Sequence, residues 1–245
     1  MDLIVSGCKG KMGSAVLEAL RGSGHKLVSG VDAKADGTEG FPCVSGFSAL
    51  HKTADCILDF SDHSQTMELL SFARIFQIPL VIGTTGQTEE EIAAIRCAST
   101  QLPILLCSNF ARGLSLLRQM TALALAALPH SEVQITETHH VAKKDLPSGT
   151  AKALAAYIRT LAPYVPIIIR SERTGDEKGS HTVRVVHGAE TVEIRHCVGD
   201  RSVYACEAIE AAAWLVARQP GLYTEKEDTA DEDRDLWVRQ SRQGR

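Results

Sequence analysis

The sequence predicts an α/β protein with two domains. A doubly wound parallel sheet occupies residues 1–108 and a smaller α+β domain with a mixed sheet occupies 109–219, while the segment 220–245 returns to the first domain. Three observations predict this. Short apolar runs alternate with helical stretches through the first 108 residues, as a parallel sheet covered on both faces requires. The first run passes into a glycine-rich turn that opens a helix. Beyond residue 128 the grammar changes to extended runs, two of them in hairpin succession.

Taken in order, LIVSG (3–7) reads as a strand, and Met12, Val16, Leu17 and Leu20 recur at helical spacing over 11–21. KLVSGVD (26–32) is a second strand ending in an acid, and CILDF (56–60) a third. SQTMELLSFARIF (64–76) follows as a helix, PLVIGTTG (79–86) as a strand ending in glycine turns, TEEEIAAIRCAS (88–99) as an acid-led helix, and PILLCSNF (103–110) as the fifth strand. A long amphipathic helix, 111–128, leads into the second domain. There SEVQITETHH (131–140), VPIIIRSER (165–173), SHTVRVVHG (180–188) and AETVEIRHCV (189–198) read as strands, the last two joined across His187-Gly188. Helices at 149–162 and 203–218 supply covering layers.

The 245 residues carry a net charge of −4, with 44% apolar and 23% charged side chains, which excludes a polyanion-binding surface and hence a nucleic-acid partner. Seven cysteines, an odd number scattered mostly through apolar runs and never spaced CxxC, read as reduced core thiols rather than a disulfide framework or zinc cluster. No apolar run approaches the roughly 18 residues of a spanning helix, and the opening run is too short for a signal peptide. A cytoplasmic protein without a membrane partner is expected. The stretch 225–235, with seven acids and two bases, reads as a solvated extension.

The turn GCKGKMG, Gly7 to Gly13, stands where a dinucleotide fold binds pyrophosphate. Gly7 and Gly10 allow the backbone to approach the phosphates, Met12 packs inward, Gly13 lets helix and sheet meet, and Lys9 and Lys11 add positive charge. The spacing is GxxGxxG, a variant of the usual fingerprint. Asp32 closes the second strand, where an acid accepts hydrogen bonds from the adenosine ribose and favours NAD over NADP, although Lys34 and the loop lysines could receive a 2′-phosphate. Gly83-Thr84-Thr85-Gly86 and Ser108-Asn109-Phe110 end later strands at the same sheet edge, placed for the nicotinamide end, and Asp59-Phe60-Ser61 ends the third strand nearby.

The other concentration of chemistry is THHVAKKDLPSGT, 138–150. Strand alternation would send His139 and His140 to opposite faces unless the chain turns there. Lys143 and Lys144 follow, and Ser148-Gly149-Thr150 opens a helix whose first N–H groups can bind an anion. A lysine beside a helix N-terminus suits a carboxylate, and a histidine titrating near neutrality suits a proton donor, so the cluster fits a small-molecule dicarboxylate. No carboxylates or thiolates stand at metal-ligand spacing, so no metal is expected. His25, His51, His63 and His130 read as surface residues.

These motifs resemble one family. GCKGKMG, DFS, GTTG, SNFARG, E-T-H-H-x-x-K-x-D-x-P-S-G-T-A, R-x-G-D-x-x-G-x-H-T-V from Arg173 to Val183 and A-A-x-W-L run in order over nearly the whole chain, as in the 4-hydroxy-tetrahydrodipicolinate reductases of lysine and diaminopimelate biosynthesis. The resemblance implies a Rossmann-like first domain holding NADH or NADPH, with hydride transfer to a cyclic substrate to form tetrahydrodipicolinate with loss of water. By resemblance His139 is the proton donor, Lys143 a second donor and carboxylate partner, and His140, Ser148, Gly149 and Thr150 substrate contacts. The implied cofactor positions are Gly7, Cys8, Lys9, Gly10, Lys11, Met12, Asp32, Gly83, Thr84, Thr85, Ser108, Asn109 and Phe110. A homotetramer built through the second-domain sheets is also implied. The chain departs from the family pattern in the short link into Arg173, in Ala33 after Asp32 and in its long tail. Two rivals remain: another dehydrogenase of this plan, for which no cysteine sits in a polar, lysine-flanked turn, and a nicotinamide-sensing protein without catalysis.

Overall fold

The computed structural model describes residues 1–224 apart from Ala142, Lys144 and Asp176. The acid-rich stretch 225–235 and the second of the tandem lysines lie outside the described residues. In chain order the elements are β1 (Asp2–Ser6), α1 (Lys11–Leu20), β2 (Lys26–Val31), β3 (Cys43–Val44), β4 (Cys56–Asp59), α2 (Thr66–Phe76), β5 (Leu80–Ile82), α3 (Glu89–Ser99) and β6 (Pro103–Leu106). There follow α4 (Arg112–Ala127), β7 (Glu132–His139), α5 (Gly149–Leu161), β8 (Ile167–Arg173), β9 (Ser180–His187), β10 (Glu190–Cys197), α6 (Ser202–Leu215) and β11 (Gly221–Thr224).

Two compact units result, one of residues 1–108 with the chain from Tyr204, the other of Asn109–Val203. The sequence boundary at 219 assigns the last helix to the second unit, whereas nearly all of α6 groups with the first. The cause is local: α6 leads directly into β11, which pairs with β6, and the Trp214 ring meets Tyr223 edge-on at 5.3 Å.

The first unit is a parallel sheet of seven strands in the order β11-β6-β5-β4-β1-β2-β3. From β1 the chain proceeds outward one way through β2 and β3, and the other way through β4, β5, β6 and β11. The switch point, where such sheets bind ligands, therefore lies at the carboxyl ends of β1 and β4. β1 and β4 are buried on both sides, and their near-continuous apolar runs follow from helices covering both faces. Helix α1 buries Gly13, Val16 and Leu20, and α2 buries Leu69, Leu70, Phe72 and Ala73. Thr88 and Glu91 close a capping box at the start of α3, a contribution of about 1 kcal/mol. β3, two residues long, and β11 are too short for alternation to reveal.

The second unit is a four-stranded mixed sheet, β10-β9-β7-β8, in which β7 and β8 are parallel and the other pairs antiparallel. Strand β7 alternates strictly, sending Val133, Ile135, Glu137 and His139 inward. Helices α4 and α5 cover that face, packing Leu114, Leu117, Leu154 and Ile158 against Val133, Ile135, Val183 and Val185. Gly188, at φ +59°, makes the β9–β10 hairpin turn. The His196 ring of β10 lies where a side chain on Gly113 would project, so the glycine in the first turn of α4 lets helix and sheet close.

Burial corrects one expectation. All seven cysteines are free, but Cys97, Cys197 and Cys206 are exposed and Cys43 is half-buried, leaving Cys8, Cys56 and Cys107 as core thiols. Their apolar neighbours belong to amphipathic segments whose outer faces they occupy. Among the described residues no helix is long and apolar enough to cross a membrane, and no group of three or more His, Cys, Asp or Glu side chains is arranged to hold a metal.

Candidate active site

In the first unit, β1 ends in a turn that only glycine can make. Gly7 sits at φ +73°, and a Cβ there would collide with the Phe60 carbonyl; a Cβ on Gly13 would collide with the Gly7 carbonyl. Gly10 caps α1 without any side-chain hydrogen bond, so the first turn of the helix presents backbone N–H groups rather than a capping oxygen. Such a cradle fits a pyrophosphate. Cys8 is buried behind the turn against Gly30, whereas Lys11 is exposed on α1 and Met12 half-buried.

Asp32 follows β2 and accepts from the backbone N–H of Lys9 at 2.9 Å and of Lys34 at 3.0 Å. The Lys9 ammonium does not face the phosphate turn as the sequence reading has it. It donates to the Lys34 carbonyl at 2.7 Å and pairs with Glu39 at 3.0 Å and Asp36 at 3.3 Å. Three carboxylates, those of Asp32, Asp36 and Glu39, thus surround the turn after β2 with the Lys9 charge already committed.

At the ends of β4 and β5 stands a group the sequence reading left without a role. Asp59 is buried, and its carboxylate accepts from the Ser61 and Thr84 hydroxyls, each at 2.6 Å, and from Ser6. Burial pushes its pKa up, and the three hydroxyls only partly oppose this. Thr84 is therefore turned into the protein, and Thr85 is exposed beside it. The Phe60 ring packs so tightly over Gly83 that no side chain fits there. Strand ends β1, β4 and β5 are tied through one carboxylate, holding GTTG and DFS in a fixed relation.

In the second unit, β7 ends at His139 and the chain turns at once, Lys143 N–H donating to the His140 carbonyl at 3.1 Å. His139 is 9% exposed, and its Nδ1 meets Oε2 of Glu137, which is fully buried. Oε1 of Glu137 accepts from Arg173 Nη2 at 2.9 Å and from the Ser148 N–H at 3.2 Å. Burial alone would raise the Glu137 pKa, but hydrogen bonds from Arg173, Ser171 and His139 outweigh it and hold the pKa at about 2. His139 is pushed below the ordinary imidazole value, burial acting most and the Lys143 and Arg173 charges adding to it, with Glu137 opposing.

Lys143 Nζ lies 2.8 Å from Oδ1 of Asp145, and Oδ2 of the same carboxylate accepts from the Gly149 N–H at 3.3 Å. Arg173 Nη2 fixes the Asp145 carbonyl at 2.6 Å. The Ser148 hydroxyl caps α5 by accepting from the Ala151 N–H, and its own N–H is engaged with Glu137. The Thr150 hydroxyl accepts from Asn109 Nδ2 at 3.3 Å, and Asn109 Oδ1 accepts from the Ala111 N–H. Phe110 is buried beside it and Ser108 is exposed. The sequence reading missed Glu137 and Arg173 as site residues. An acid on the inward-facing row of β7 was the available signal for the first.

A model of the N-terminal part of dihydrodipicolinate reductase matches residues 1–110, and one of its C-terminal part matches 113–227. The 4-hydroxy-tetrahydrodipicolinate reductase of Caldanaerobacter subterraneus subsp. tengcongensis is 34% identical over 240 residues, covering 91% of this chain and 95% of the relative. That of Akkermansia muciniphila is 34% identical over 244 residues, covering 91% and 96%. The fold resembles a dipicolinate-bound dihydrodipicolinate reductase from Paenisporosarcina sp. TG-14, with a TM-score of 0.77, 23% identity and coverage of 91% and 97%.

Proposed function

The chain belongs to the dihydrodipicolinate reductase family, and we propose that it reduces 4-hydroxy-tetrahydrodipicolinate to tetrahydrodipicolinate in lysine and diaminopimelate biosynthesis. NADH or NADPH, bound at the Gly7–Gly13 turn, supplies the hydride; one proton is consumed and water is lost. The observation that carries the residue assignments is the Asp145 carboxylate gripped between Lys143 Nζ and the Gly149 N–H. Two donors spaced to hold one carboxylate suit a substrate that carries two. A substrate carboxylate takes the place of Asp145, with His140 and Thr150 beside it, while His139 Nε2 delivers the proton. Lys143 also stabilises negative charge that develops on the ring as it is reduced.

An acid acting from Nε2 must be an imidazolium. Because His139 titrates below the ordinary value of about 6.5 in the free enzyme, kcat/KM is expected to fall as pH rises through a pKa under that value. The dianionic substrate favours the cation, so the limb in kcat is expected at higher pH; coincident limbs would refute the assignment.

The three carboxylates around the turn after β2, with Lys9 already engaged, support NADH over NADPH, whose 2′-phosphate would meet net negative charge. A kcat/KM ratio of about 10 or more in favour of NADH is expected, and parity would count against this reading. The assay is the loss of NADH or NADPH absorbance on adding freshly generated substrate; no loss with either cofactor would sink the proposed activity.

The open face of the second sheet carries Gln134, Thr136, Thr138, Thr182, Arg184 and Arg195, a polar, strand-paired surface that supports assembly into a homotetramer. Light scattering of the purified chain tests it. Seven free cysteines support work in the reducing cytoplasm.

A further inference from the structure

Glu137 follows Val133 and Ile135 on the inward row of β7 and is fully buried. A buried carboxylate persists only when paired and hydrogen-bonded, and each oxygen of Glu137 has separate partners. Oε2 meets His139 Nδ1, while Oε1 takes Arg173 Nη2 and the N–H of Ser148 in the turn that opens α5. We propose that Glu137 is the positioning residue for the reduction, setting the His139 tautomer through one oxygen and the anion-binding turn through the other. The inference rests on the roles proposed above for His139 and Gly149.

An ionised carboxylate only accepts, so Nδ1 must carry the hydrogen of that bond and Nε2 becomes the ring atom that exchanges a proton. The same side chain holds Ser148 one residue before Gly149, so proton donor and carboxylate receptor are referred to one buried charge. Glutamine cannot replace it. With its oxygen toward Arg173 and Ser148, its amide forces Nδ1 to accept and moves the proton to Nε2. Turned the other way, two donors face Arg173 and the Ser148 N–H.

The charged and titratable groups facing His139 are Glu137 on β7, Arg173 on β8, Lys143 in the turn and the His181 ring on β9, 5.3 Å away and edge-on. Only Glu137 favours the imidazolium strongly; Arg173 and Lys143 oppose it. Removing the Glu137 charge and removing the Arg173 charge therefore act on His139 with opposite signs. Glu137→Gln is expected to move the basic limb of kcat/KM down by about one pH unit or more, and Arg173→Gln to move it up. Glu137→Asp, which keeps the charge, is expected to hold the limb near its wild-type position even where turnover falls.

The test pairs these pH profiles with a heteronuclear NMR titration of the His139 ring, after melts establish that each variant folds. Opposite shifts in the two glutamine variants support the proposal. A Glu137→Gln limb and ring resonance that coincide with wild type, or shifts of the same sign in both variants, overturn it; a residue needed only for packing would lower stability without reversing sign. The NMR arm does not depend on turnover, so wild-type protein without reductase activity would defeat the proposed function while the His139 titration still decides the role of Glu137.

Discussion

Glutamine at position 139 is expected to lower kcat by about 10²–10⁴-fold, the range a positioned general acid supplies, while KM for the dicarboxylate changes by less than about 3-fold. The asymmetry follows from the geometry. His139 is held by Glu137 through Nδ1 and is not among the groups that grip the Asp145 carboxylate, which are Lys143 Nζ and the Gly149 N–H. Its removal costs the proton and spares the receptor. Lys143→Ala touches both and is expected to raise KM and lower kcat together. Steady-state kinetics on variants with wild-type melting temperatures measure the split, and a His139→Gln enzyme with near-normal turnover would exclude the imidazole as donor.

The second large effect belongs to the nucleotide turn. Gly7→Ala asks an L-residue to adopt φ +73°, which costs about 1–2 kcal/mol, and drives a Cβ into the Phe60 carbonyl and Ser61 backbone, overpacking worth about 1–3 kcal/mol more. A loss on the order of 10 °C in Tm is expected for a chain of this size, together with loss of NADH binding, because the turn moves away from the α1 terminus. Gly37→Ala is the control: φ is +84° but nothing lies within 4 Å, so only the smaller backbone cost should appear. Equal destabilisation in the two variants would show that crowding against Phe60 carries no weight. Thermal melts and NADH fluorescence titration give both readings.

The family motifs and strand–helix alternation made the first sheet legible, because a parallel sheet buried on both faces writes itself as apolar runs such as Leu3-Ile4-Val5 and Ile57-Leu58. β3 was not legible, since two residues have no period. The fate of α6 was not either, because an alanine-rich helix with small side chains on several faces does not say which unit it covers. At the proposed site, His139 and Lys143 were singled out because a histidine and a lysine announce proton transfer and positive charge, and Gly149 because it opens a helix. Glu137 and Arg173 could not be paired from sequence: 36 residues separate them, and only the parallel register of β7 with β8 brings them together. Lys9 was misdirected for a similar reason. A loop lysine follows the nearest carboxylates, and Asp36 and Glu39 become its neighbours only once the turn after β2 folds back.

β11 lies beside β6 at the margin of the first sheet and comes from the far end of the described chain. During synthesis the whole Asn109–Val203 unit leaves the ribosome before that strand does, so β6 waits with a bare row of amide and carbonyl groups. Chains stalled or clipped before Gly221 would carry the same unsatisfied rim, and their characteristic fate would be sticking to one another rather than quiet loss of activity.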